Sequence, residues 1–105
     1  MTAIERVEYT PKQDVYHPGE VLYVSLYFRE PFVGECEIGL GDRTSDAFRR
    51  TTCRQSTTKL YEGQVYIHDD QVGPKILKAA LTPVKGEPAT LSAADRIFQV
   101  RPVSP

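Results

Sequence analysis

The chain has no tryptophan and no asparagine, only two cysteines and two histidines, and almost no net charge. Each shortage excludes something. The longest apolar-looking run, Val21 to Phe28, contains Ser25, Tyr23, Tyr27 and Phe28. It falls far short of the ~20 apolar residues that span a bilayer, so no membrane insertion is expected. Two cysteines with no further cysteine or histidine at ligand spacing cannot supply the four ligands of a structural zinc site. A net charge of -1 with a pI near 6.1 lacks the basic excess of a general nucleic-acid binder. The opening "MTAIERVEYT" has no basic start followed by an apolar core, so no signal peptide is read there. The expected setting is therefore a virion, the cytoplasm, or a module cut from an exported chain.

Catalytic chemistry is short of parts as well. Ser25 lies in mid-strand, and Cys36 and Cys53 have no histidine in sequence reach to act as a base. There is no Gly-x-Ser-x-Gly elbow and no phosphate-cradling glycine loop. The expectation is a non-catalytic protein that uses no cofactor. His68, Asp69 and Asp70, with Asp42 and Asp46, offer an imidazole and carboxylates suited to calcium. Aspartates clustered in turns ordinarily bond nearby backbone amides instead, and no metal is expected.

What the chain does contain is strand periodicity. Its 105 residues and 11.8 kDa fit one domain, residues 1–105, and are too few for two separate cores. In "VLYVSLYF" Leu22, Val24, Leu26 and Phe28 alternate with Val21, Tyr23, Ser25 and Tyr27. That two-residue period, rich in aromatic and β-branched residues, marks a half-buried strand. The preceding "HPGE" supplies a proline preset for a turn and a glycine able to take positive φ. Further strands are read in "IERVEY", "CEIGL", "AFRRTTC", "KLYEGQVYIH", "KILKAAL" and "RIFQV", separated by Gly, Pro and Asp turn clusters. At most one helical turn is expected, in "LSAAD". About seven short strands at this spacing predict an all-β antiparallel sandwich, with Leu22, Val24, Leu26, Ile38, Leu77, Leu81, Phe98 and Val100 in its core.

Cys36 and Cys53 fall on consecutive expected strands, and two registers are open. In one, Cys36 faces Cys53 and Ile38 faces Thr51, close enough for a disulfide. In the other, Leu40 faces Phe48 and the cysteines are diagonal neighbours. Apolar pairing favours the second, and two buried free thiols are the expectation.

Three stretches together carry a resemblance. "HPGEVLYVSLYFREPF", "YEGQVYIHDDQVGPKILKAAL" and the final "FQV" resemble bacterial immunoglobulin-like domains, the modules of adhesins, secreted enzymes and phage structural proteins. The resemblance covers Asp14 to Val100 and implies an immunoglobulin-like antiparallel β-sandwich that works by contact. Two departures stand out: Lys75 or Ile76 replaces the usual aromatic after the late-turn glycine, and the insert "GEPATLSAAD" replaces a short turn. Antibody-type domains match less well, because they need a tryptophan and a tyrosine two residues before the second cysteine, where this chain has Thr51.

For function, the sequence points to a structural or protein–protein interaction module, partnered by another protein or by itself. A glycan-binding sandwich, or an adaptor taking a peptide at a strand edge, is the alternative. Tyr23 and Tyr27 share the strand face opposite the core, and Arg43 to Lys59 carries +4 while the rest of the chain carries -5. Tyrosine and arginine are the residues enriched in interface hot spots. The expected contact surface is thus Tyr23 and Tyr27 together with Arg49, Arg50 and Arg54.

Overall fold

Alternating burial begins at the first strand and continues through the chain in the computed structural model, which describes residues 3–103. Among these residues lie ten strands and no helix: β1 (Ile4–Thr10), β2 (Val15–Tyr16), β3 (Val21–Phe28), β4 (Gly34–Gly41), β5 (Thr51–Thr52), β6 (Arg54–Thr57), β7 (Leu60–Tyr66), β8 (Gly73–Pro83), β9 (Ala89–Ser92) and β10 (Phe98–Val100). They form two sheets. The four-stranded sheet has the order β1-β3-β7-β6; the six-stranded sheet has the order β2-β10-β8-β4-β5, with β9 also on β8. The architecture is an all-β, sandwich-like fold.

The turn before β3 forms as its residues dictate. The Glu20 amide donates to the His17 carbonyl, and Gly19 takes a φ of 93°, a region closed to most side chains. β3 then buries Leu22, Val24, Leu26 and Phe28 and turns Tyr23 and its neighbours outward. Ile38, Leu77, Leu81, Phe98 and Val100 are buried with them, so all eight expected core residues lie inside. Tyr16, Tyr61 and Ile67 are among the further residues buried in the core.

Ten strands replace the expected seven for local reasons. The expected run "AFRRTTC" is strand only at Thr51–Thr52, and a further strand, β6, forms beyond Cys53: β5 pairs with β4 in one sheet and β6 pairs with β7 in the other, so this segment crosses between the layers. β2 is a two-residue strand held parallel to β10. β9 and β10 both lie along β8; the expected helical turn in "LSAAD" does not form, since Leu91 and Ser92 extend β9 against β8 and the next residues bend toward β10.

The cysteine register is the opposite of the one favoured from sequence. Glu37 faces Thr52, Ile38 faces Thr51, and Gly41 bridges to Phe48. Cys36 and Cys53 are therefore opposed, and the Cys53 amide donates to the Cys36 carbonyl at 2.8 Å. Apolar pairing of Leu40 with Phe48 loses because Leu40 belongs to the core, whereas Phe48 belongs to a segment that folds over the outside of β4. Gly39 permits that approach: a Cβ there would collide with the Arg49 carbonyl. Both cysteines are buried free thiols. Their mutual hydrogen bond, and then burial, push the Cys36 thiol far above its ordinary value.

Candidate functional site

The two sheets differ in what covers their outer faces. On the six-stranded sheet the segment between β4 and β5 lies across Gly39 and Gly41. Beneath it Lys78 is buried, its amine donating to the Ser45 carbonyl. On the four-stranded sheet no such segment intervenes among the described residues, and Tyr23 and Tyr66 are 50% and 49% exposed.

Pairing fixes the layout of this open face. Directly opposed residues in antiparallel strands point the same way. Ser25 therefore sits between Glu8 on β1 and Glu62 on β7. Tyr23 lies between Thr10 and Gln64, Tyr27 between Arg6 and Leu60, and Tyr66 faces Val21. Arg54 faces Glu62 from β6. The small Ser25 side chain leaves low ground among larger neighbours. Two shallow depressions of about 460 and 470 Å³ adjoin there and share Tyr23, Ser25 and Glu62. Arg54 and Gln64 line the first; Glu8 and Lys12 line the second.

The two tyrosines singled out from sequence are not equivalent. Tyr23 is open, whereas Tyr27 is half-buried under Arg6, whose guanidinium carbon lies 4.0 Å from the ring centroid. The Tyr27 hydroxyl donates to Glu8 at 3.4 Å, and Glu8 also meets Arg6 at 3.8 Å. Tyr27 is thus occupied by its own chain. Tyr66, by contrast, meets only the His68 ring, edge-on at 4.7 Å, among the ring contacts of the described residues. Sequence reasoning passed it over. The signal was present, since Val65 and Ile67 are apolar and an inward Val65 and Ile67 put Tyr66 outside.

The three arginines also part company. Arg54 joins Tyr23 at the first depression. Arg49 and Arg50 turn to the six-stranded sheet, where Arg49 pairs with Asp70 at 2.5 Å and Arg50 with Glu37 at 3.5 Å. Arg50 also stacks on Phe48 at 4.8 Å. The surface brought together is therefore Tyr23, Tyr66 and Arg54, with Tyr27 beneath Arg6 and with Arg49 and Arg50 elsewhere.

Both edges of the four-stranded sheet carry an extra residue. On β1, Ile4 faces Phe28 and Arg6 faces Tyr27, which leaves Glu5 unmatched. On β6, Gln55 faces Tyr61 and Thr57 faces Leu60, which leaves Ser56 unmatched. Bulges and charges at an edge hinder the addition of another strand.

Among the described residues no group of three or more His, Cys, Asp or Glu is placed to hold a metal ion. Asp42 is instead engaged by Lys75 at 2.7 Å, and that hydrogen bond and charge hold its carboxyl below the usual range. No helix among the described residues is long and apolar enough to cross a membrane. No protein-family model matches the chain, and no curated protein matches it.

Proposed function

We propose that the protein is a non-catalytic interaction module, an immunoglobulin-like unit of a surface, virion or multidomain assembly. It contacts a protein partner through the open face of the four-stranded sheet. The observation that carries the reading is the contrast between faces: β4 of one sheet is covered by the segment that follows it, and the other sheet presents the half-exposed Tyr23 and Tyr66. Tyrosine joins apolar area to a hydrogen-bonding tip and loses little side-chain entropy when bound. The immunoglobulin-like kinship is supported by strand order, because β1-β3-β7-β6 and β10-β8-β4 follow the A-B-E-D and G-F-C arrangement of that fold. Bulges at Glu5 and Ser56 favour the face over the edge as the contact.

The glycan-binding alternative draws on one feature, the pair of shallow depressions where Tyr23 offers a stacking ring beside Gln64, Glu62 and Arg54. A photo-cross-linking residue placed at 23 or 66, in cells of the source organism, separates the readings. The protein-contact reading expects a discrete protein adduct from both positions and none from position 46 on the far side. No adduct, or equal adducts at all three, would sink it. Binding on a glycan array that is lost in Tyr23→Ser would put the alternative in its place.

A further inference from the structure

Cys36 and Cys53 are the only cysteines of the chain, and the fold sets them against each other. Glu37 faces Thr52 and Ile38 faces Thr51; one step further along the same register Cys36 faces Cys53, and the Cys53 amide donates to the Cys36 carbonyl at 2.8 Å. Opposed residues of such a hydrogen-bonded pair have Cα atoms ~5.5 Å apart and side chains on the same side. That separation is one a disulfide bridges. The side chains do meet, since a thiol-to-thiol hydrogen bond is the largest influence on the Cys36 proton. Both point into the core, Cys36 fully buried and Cys53 7% exposed.

The surroundings leave room for the sulfurs. β7 passes Cys53 at Gly63, where a Cβ would stand 3.2 Å from the Cys53 sulfur and 2.9 Å from the Ile38 side chain. Cys53 is also the residue at which the chain changes sheets: β5 ends at Thr52 on β4, and β6 begins at Arg54 on β7. A bond to Cys36 would therefore fasten the crossing to β4. Thr52 and Arg54, on either side of Cys53, line the depression beside Tyr23, so the same bond would hold its rim.

We infer that Cys36 and Cys53 form a reversible disulfide, a staple between β4 and the crossing that closes in an oxidising environment and opens in a reducing one. The oxidant is a low-molecular-weight disulfide such as oxidised glutathione. Neither sulfur is reachable in the closed fold, so the reaction begins with local opening. β5 is the place for it, being two residues at a sheet edge paired only with β4. Once exposed, the Cys53 thiol loses its proton and its thiolate attacks one sulfur of the oxidant, expelling one glutathione thiolate. Cys36, deprotonated in turn, attacks the Cys53 sulfur of the mixed disulfide and expels the second. Two protein thiols are oxidised and one glutathione disulfide is reduced, the two released protons ending on the two leaving thiolates. Burial and the bond to Cys53 keep Cys36 protonated while the fold is closed, so oxidation is slow and follows opening.

The test is intact-mass spectrometry of the native protein held in glutathione buffers of rising oxidised fraction. The expected result is loss of two hydrogens with no retained adduct, a Cys36–Cys53 linked peptide after proteolysis, and return to the dithiol with dithiothreitol. Closing a loop of this size should raise the folding equilibrium constant roughly a hundredfold, read as a higher urea midpoint of the oxidised form. Amide exchange should slow first at Thr51 and Thr52. Cys53→Ala, held in the same buffers, should show neither change. The inference is overturned by a native protein that stays reduced in buffers that oxidise the same chain in urea. Linkage between chains instead of within one, or a bond that leaves the urea midpoint and the exchange of Thr51 and Thr52 unchanged, would overturn it as well.

Discussion

Leu26 shows how much single positions carry. It is fully buried at the centre of β3, between Val7 and Tyr61 on the neighbouring strands. Leu26→Ala removes that side chain where flanking strands cannot collapse inward, so it is expected to cost about 2–5 kcal/mol in urea denaturation. Cys36 carries a different dependence. Its folded-state thiol is raised by its bond to Cys53 and by burial, so the unfolded chain ionises first as pH rises. The stability tied to the neutral thiol is complete below the unfolded value of ~8.5 and is lost progressively above it. Burial raises Tyr61 in the same direction, adding to the loss above pH ~10. Urea midpoints at pH 7, 9 and 10 should therefore decline, and Cys36→Ala should flatten the first part of that decline. An equal decline in the variant would remove the thiol from the account.

At the scale of elements, the end of the sandwich near β10 is fastened by one side chain. Arg96 donates to the Tyr9 hydroxyl at 2.9 Å and to the Gln13 carbonyl at 3.0 Å, with its guanidinium 4.6 Å from the Phe98 ring centroid. It thereby ties the segment before β10 to β1 and to the link between β1 and β2. Hydrogen bonds from a charged donor contribute about 1.5–3 kcal/mol, and partial exposure puts Arg96 at or below the lower figure. Arg96→Ala is expected to lower stability by roughly 1 kcal/mol and to speed amide exchange in β2 and β10 before the rest of the molecule. Uniform acceleration across all strands would contradict a local fastening. This device was invisible in the sequence, where Arg96 read only as the start of "RIFQV". The long elements were legible: β3, β4, β7 and β8 follow from apolar alternation and flanking turn residues. β2 was not, since two residues become a strand only by lying beside β10. β9 was not either, because Ala89–Ser92 has a single large apolar residue and depends on β8 for its shape. The site was half legible. Alternation alone put Tyr23 outside, but Arg6 reaching over Tyr27 and the turning away of Arg49 and Arg50 depend on pairing across strands.

For the molecule as a whole, the two sheets differ in what lies on their outer faces, the segment between β4 and β5 covering β4 while Tyr23 and Tyr66 on the four-stranded sheet stand half-exposed. The loop across β4 uses its residues internally, through Arg49 to Asp70 and Arg50 to Glu37. The parallel pairing of β2 with β10 has one more consequence. The described chain begins at the end of the sandwich where Ile4 faces Phe28 and reaches the opposite end where the Arg101 amide donates to the Tyr16 carbonyl. A tensile load between these points pulls β2 and β10 past each other along their length. The hydrogen bonds joining Val15 and Tyr16 to Gln99, Val100 and Arg101 must then yield in shear together, rather than being unzipped one after another.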